Sequence, residues 1–210
     1  MTVIDHIVIV ADDLARGAAA VEAALGVAMQ ATGRHAAMGT HNRLLSLGPD
    51  AYLEVIAIDP DAPAPDRPRW FDLDRVSGPP RLAQWVARVD DLDAAQAGLP
   101  FSTGTPMAFS RDALEWRMAV PPDGVLPFDG VVPALIEWRR GMASTALPDS
   151  GCRLRILTLR HPRMHEIRTA WPGLAAIPGV ETASAAAPAL AAAIETPDGL
   201  RHLPAGPLDG

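Results

Sequence analysis

Four polar side chains interrupt runs that otherwise read as buried strands. His6 lies in Val3-Ile4-Asp5-His6-Ile7-Val8-Ile9-Val10, and Glu54 in Tyr52-Leu53-Glu54-Val55-Ile56-Ala57-Ile58. Gln84 lies in Leu82-Ala83-Gln84-Trp85-Val86, and Glu137 in Ala134-Leu135-Ile136-Glu137-Trp138. An ionised carboxylate in such a run is costly unless it is paired or bound to a metal. Imidazole and carboxylates together suit divalent metals or proton transfer. A structural explanation competes at each position. The histidine can be a hydrogen-bond partner, and Glu54 can pair with an arginine such as Arg43. Gln84 can face solvent, and Glu137 can pair with Arg139 or Arg140 at a strand end.

These residues need elements to hold them, and the elements repeat. The apolar strand Val3–Val10 is followed by Asp12-Asp13, a helix cap, and a helix to about Leu25 that Gly26 ends. The run Leu82–Val89 is followed by Asp90-Asp91-Leu92 and an alanine-rich helix before Gly98. An offset of 78 residues carries Asp12-Asp13-Leu14 onto Asp90-Asp91-Leu92 and His6 onto Gln84. Strands are expected near 28–32, 42–47 and 52–58 in the first unit. In the second they are expected near 106–109, 114–120 and 133–138. Each unit then reads β-α-β-β-β, over about 3–58 and 82–138, and supplies one polar residue from its first strand and one from its last. After a linker at 141–150, residues 141–210 read as a degenerate βαββ extension. It holds strands at 153–159, 180–185 and 190–196, a helix from Pro162 to about Trp171, and a pairing segment at 200–203. The chain from Pro204 onward reads as frayed.

Composition narrows the chemistry. In 210 residues with net charge −7, no basic run forms a nucleic-acid face. No stretch has the length of a membrane span. The start of the chain shows no signal-peptide pattern, so a cytoplasmic protein is expected. All 18 basic residues are arginine, which excludes Schiff-base lysines and a Walker-type lysine. The single cysteine, Cys152, excludes an internal disulfide. His161 and His165 are four apart, but no Glu follows in the metalloprotease manner and Pro162 places His161 at or before a cap.

The run Asp5-His6-Ile7-Val8-Ile9-Val10-Ala11-Asp12-Asp13-Leu14 resembles the opening strand and helix cap of the vicinal oxygen chelate superfamily. Gly39-Thr40-His41-Asn42-Arg43-Leu44-Leu45-Ser46-Leu47-Gly48, Tyr52-Leu53-Glu54-Val55-Ile56 and Leu135-Ile136-Glu137-Trp138 resemble its glyoxalase-like branch. The resemblance covers about residues 3–140. It implies an α+β fold of paired βαβββ units curled around a shared cavity, in one glyoxalase-like domain over 1–140. It also implies a divalent metal (Zn, Ni, Co, Mn or Fe) held by His6, Glu54, Gln84 and Glu137. One Gln, one His and two Glu resemble a glyoxalase I ligand set, with the Gln and His exchanged between units.

The activity this implies is that of a metal-dependent lyase or isomerase. The metal would polarise a substrate oxygen, and Glu137 or Glu54 would move a proton next to a carbonyl. His41, Asn42 and Arg43 are expected at the cavity rim. Arg88 and Arg117 are expected to meet an anionic substrate, and Trp116 to line the pocket, against the alternatives of surface ion pairs and core packing. The expected partner is a small molecule, not nucleic acid or membrane, with a homodimer as the assembly allowed for. The rival reading is a metal-free binding protein for a drug or metabolite, with its carboxylates satisfied by protein groups. A third has the C-terminal segment plugging or covering the cavity.

Overall fold

The computed structural model describes residues 1–204 and 206–208. The first unit is β1 (Val3–Val10), α1 (Leu14–Leu25), β2 (Ala31–His35), β3 (Thr40–Ser46) and β4 (Tyr52–Ile58). The second is β5 (Arg81–Arg88), α2 (Leu92–Ala97), β6 (Thr105–Arg111), β7 (Leu114–Val120) and β8 (Ala134–Arg140). The expected aspartates cap both helices. Asp13 accepts from the Arg16 amide at 2.7 Å, and Asp91 from the Ala94 amide at 3.0 Å. Gly26 ends α1 in the left-handed conformation, φ 72°. The strand β2 begins at Ala31, later than expected. Gln30 precedes it, and its side chain holds the Ser46 amide and the Pro148 carbonyl.

The eight strands make one curled sheet in the order β2-β3-β4-β1-β5-β8-β7-β6. Within each unit the first strand lies parallel to the last, and β1 meets β5 antiparallel at the centre. Side chains alternate between two faces. The outer face carries Ile7, Ile9, Leu53, Val55, Trp85 and Leu135, packed under α1. The inner face carries Val8, Val10, Ile56, Val86, Ala134 and Ile136.

The link between β4 and β5 fills much of that inner face. Trp70, Phe71 and Leu73 are buried there among Val8, Val10, Met118 and Ile136. To deliver them the backbone takes positive φ at Phe71 (58°) and Asp72 (56°), both non-glycine. Such conformations cost on the order of 1–3 kcal/mol and persist where surrounding contacts fix them. The Asp72 amide donates to the Gly124 carbonyl at 2.9 Å, and Arg75 Nε to Asp72 at 2.6 Å.

The short helix α3 (Ala143–Ala146) interrupts the expected linker. The chain then forms β9 (Arg153–His161), α4 (Met164–Ala170), β10 (Val180–Ser184), β11 (Ala189–Thr196) and β12 (Gly199–Leu203). The element types recur, but the pairing differs. Here the order is β10-β9-β11-β12, with the first strand parallel to the second rather than to the last. This sheet packs on the outer face, where Leu157, Leu159, Leu190 and Ile194 join the core of Ile7 and Trp85. It therefore backs the large sheet rather than plugging its cavity. The end of the chain is tied down where fraying was expected: Pro207 bridges to Arg81, and the Leu208 amide donates to the Pro80 carbonyl at 2.7 Å. The expected fraying of 205, 209 and 210 lies outside the described residues. Among the described residues no helix is long and apolar enough to cross a membrane.

Candidate functional site

The site starts with a bulge. β1 pairs with β5 through Ile4↔Ala87 and His6↔Val86, leaving Asp5 as an extra residue. A bulge re-aims neighbouring side chains, and here Asp5 and His6 meet although they are consecutive in a strand. Asp5 Oδ1 lies 2.7 Å from His6 Nδ1. Its Oδ2 accepts from Trp138 Nε1 at 2.8 Å. His6 Nε2 faces Glu54 Oε2 at 3.5 Å, and Glu54 Oε1 accepts from Asn42 Nδ2 at 2.6 Å. Tyr52 stacks on the His6 ring at 4.4 Å.

Asp5, His6, Asn42, Tyr52 and Glu54 are buried, and Trp138 is partly buried. Burial alone would neutralise His6, but its bonds to Asp5 and Glu54 raise it to about 9. Burial likewise opposes the charge on Glu54, yet the bond to His6, with His35 and Asn42 nearby, lowers it to about 2. The pair is an imidazolium and a carboxylate across neutral pH. His35 is the opposite case, since burial brings it down to about 4 and leaves it neutral. Its Nε2 lies 3.2 Å from Arg111 Nη1, which only donates, so Nε2 accepts and Nδ1–H points to Thr40 Oγ1 at 3.2 Å.

These side chains line a cavity of about 30 Å3 with Trp70, Phe71, Trp116 and Trp138 as aromatic walls. That is room for about one water molecule. A wider groove of about 580 Å3 shares Asn42 and Arg111 with it and adds Gly33, Arg34, His41 and Arg43.

The four expected metal ligands do not converge. Val8 pairs with Glu54 in the first unit; its counterpart Val86 pairs with Ala134 in the second. Ala134 thus stands where a second inner-face carboxylate would be needed. Glu137, three residues on, points to the outer side. There it lies 3.3 Å from Arg117 and 3.1 Å from Arg139, with the Leu92 amide at the start of α2 3.4 Å away. Gln84 pairs with Val8 and lines a separate groove with Phe71, Arg81, Leu126 and Asp129. Phe71 borders both that groove and the His6 cavity. The residues present do not fit a four-ligand divalent centre. Among the described residues no group of three or more His, Cys, Asp or Glu could hold a metal ion.

The remaining candidates divide in the same way. Asn42 and Trp116 line the His6 cavity, while His41 and Arg43 line the outer groove. Arg88 does not reach the cavity; it sits behind Asp5 at 3.9 Å and near Asp50. Arg117 forks onto Asp93 at 2.9 Å on the outer side. His161 ends β9, accepts from the Arg163 amide at 3.0 Å and lies 3.3 Å from Asp129; exposed His165 sits apart in α4. Sequence reasoning missed Asp5, His35, Tyr52, Trp70 and Arg111. Asp5 carried a signal, being a second ionisable group in an apolar strand. Arg111 and His35 carried none, because they meet only when the sheet curls and brings β6 near β2.

Residues 4–175 match the family profile described as a glyoxalase-like domain. The chain belongs to this glyoxalase-like domain family. The match runs past Arg140 into the C-terminal sheet. Among solved structures, a hypothetical protein from Staphylococcus aureus is similar at 12% identity and TM-score 0.63, covering 90% of this chain and 88% of that one. That likeness concerns the fold. Methylmalonyl-CoA epimerase from Mycobacterium tuberculosis is 20% identical, covering 68% of this chain and 91% of that one, with TM-score 0.44. A hypothetical protein from Bacillus halodurans is 13% identical, covering 68% and 97%, with TM-score 0.43. No curated protein matches the chain significantly.

Proposed function

We propose that this glyoxalase-like protein binds a small organic molecule at the inner face of its first unit, without a metal ion. One observation carries the reading. The second carboxylate that a metal would need is replaced at its position by Ala134, and Glu137 is satisfied by Arg117 and Arg139. Glu54 is satisfied in its turn by His6 and Asn42. The adjoining groove of about 580 Å3, which shares Asn42 and Arg111 with the His6 cavity, has the volume of a small-molecule site, and the cavity supplies a few placed polar groups at its inner end.

The test is metal analysis together with a ligand screen. Purified protein should carry no stoichiometric metal and take up none from Ni, Zn, Co or Mn. Small organic ligands should raise its melting temperature equally with and without a chelator. Glu54→Gln should weaken that effect. Stoichiometric metal uptake that depends on Glu54 would overturn the reading.

A second reading is isomerase chemistry by proton transfer without a metal, and the His6–Glu54 pair on the cavity wall favours it. It predicts protein-dependent deuterium uptake next to the carbonyl of hydroxyacetone in heavy water, lost in Glu54→Gln.

A further inference from the structure

Three groups around the cavity are held in place yet have unmet hydrogen-bonding or charge capacity among the described residues. Asn42 is buried, and its Nδ2 is committed to Glu54. That bond fixes the amide and turns Oδ1 away, and Oδ1 has no partner among the described residues. Buried Trp70 has an unpartnered Nε1–H. Both residues line the cavity. Unmet buried polar groups are costly, and they mark places a ligand can satisfy.

Arg111 is the third. Its side chain sits where the cavity and the outer groove meet. Its contact there is neutral His35, and no carboxylate among the described residues pairs with it. Asp112 also lines the groove but forms no ion pair with it. The guanidinium lies against Gly33. A Cβ at that position would fall 2.3 Å from Nη1, 2.8 Å from Cζ and 2.7 Å from Asn42 Oδ1. The lack of a side chain at residue 33 is thus what lets the cation rest beside the orphan amide oxygen.

We infer that Arg111 is the anchor for a carboxylate ligand that also carries a hydroxyl, a 2-hydroxy acid being the simplest member of the class. The carboxylate accepts from Arg111, and the hydroxyl donates to Asn42 Oδ1. The remainder of the ligand lies in the outer groove, whose size and half-buried Arg43 suit an anionic molecule. A planar carboxylate pairs with two parallel N–H donors on the guanidinium edge and fits the narrow cavity better than a tetrahedral phosphate does. This inference rests on the small-molecule reading above and names its ligand class.

The test uses lactate and mandelate, their neutral amides, and inorganic phosphate, titrated against the whole protein by calorimetry. Each acid should bind at least about ten-fold tighter than its amide. The preference should vanish in Arg111→Gln. It should vanish as well in Gly33→Ala, which displaces the guanidinium without removing its charge. Comparing acid with amide needs no variant, so a misfolded mutant does not spoil the test. Equal binding of acid and amide, or a preference that survives both substitutions, overturns the role of Arg111 while leaving a small-molecule site standing. Phosphate binding as tightly as lactate overturns the carboxylate assignment. Failure of every acid and amide to bind overturns the inference; if the ligand screen also fails, the small-molecule reading falls with it.

Discussion

The inner face of the first unit carries His6, Glu54 and Asn42 in one bonded array, with His35 beside them, against aromatic walls. The inner face of the second carries Met118, Val120, Ala134 and Ile136, with Gln84 alone at its end. Both are built on the same strand order about a central antiparallel pair, so the backbone offers each the same chance to hold a site. The difference lies in which inward positions are polar. A buried polar cluster is stable only when its members are mutually satisfied. The first unit meets that condition with the bulge at Asp5 and the Asn42–Glu54 bond. The second has become core, and Trp70, Phe71 and Leu73 from the link pack against it.

The sharpest way to break this asymmetry is to restore the missing carboxylate. Ala134→Glu places a charge in a packed apolar face and should cost about 5 kcal/mol, enough to leave little folded protein in thermal unfolding. Near-normal stability, or recovery on adding a divalent metal, would mean that the two halves are closer in kind than their contacts indicate.

The two glutamates come next. Glu54→Ala leaves a buried imidazolium facing no charge and should cost about 3–5 kcal/mol and abolish ligand binding. Glu137→Ala removes contacts to partly exposed arginines and should cost only about 1–3 kcal/mol, with binding intact. Denaturant unfolding and the ligand screen read both outcomes. Loss of binding with Glu137→Ala would overturn the division of roles.

The smallest effect is on pH dependence. His6 is raised to about 9, so its contribution is complete below 6.5 and lost as pH rises through 9. Glu54 is lowered to about 2, so its contribution is present above 4.5 and lost as pH falls through 2. His35 is lowered to about 4, so its contribution is complete above 6.5 and lost as pH falls toward 4. Together they place the stability maximum near pH 6.5, falling by about 1–3 kcal/mol on either side. His6→Asn should remove the alkaline limb and, with the bond that lowers Glu54 gone, shrink the acid limb toward the part that His35 contributes.

Much of the fold was readable in the residues because β1, β4 and β11 are largely apolar runs and each of the first two helices begins at an aspartate. The site was half readable. His6 and Glu54 stood out because a buried charge needs an explanation. Glu137 misled because it needs one too, yet finds it on the outer side. The sequence held a clue to this. The offset from His6 to Gln84 is 78 residues, whereas that from Glu54 to Glu137 is 83. The two differ by an odd number, and an odd slip along a strand moves a side chain to the opposite face. Trp70 and Phe71 could not be placed from sequence, because their turn has no periodicity and depends on positive φ at two ordinary residues.

The edge strands β2 and β6 end the large sheet on either side without a backbone ladder between them, and the Arg111–His35 contact spans that gap. A cavity closed by strands would admit a ligand only by breaking backbone hydrogen bonds, a slow collective event. Here rotation of two side chains is enough, and such motions fall in the nanosecond range. Entry should therefore be limited by diffusion and by the electrostatics of the basic rim, so the association rate should fall with added salt while the dissociation rate changes little.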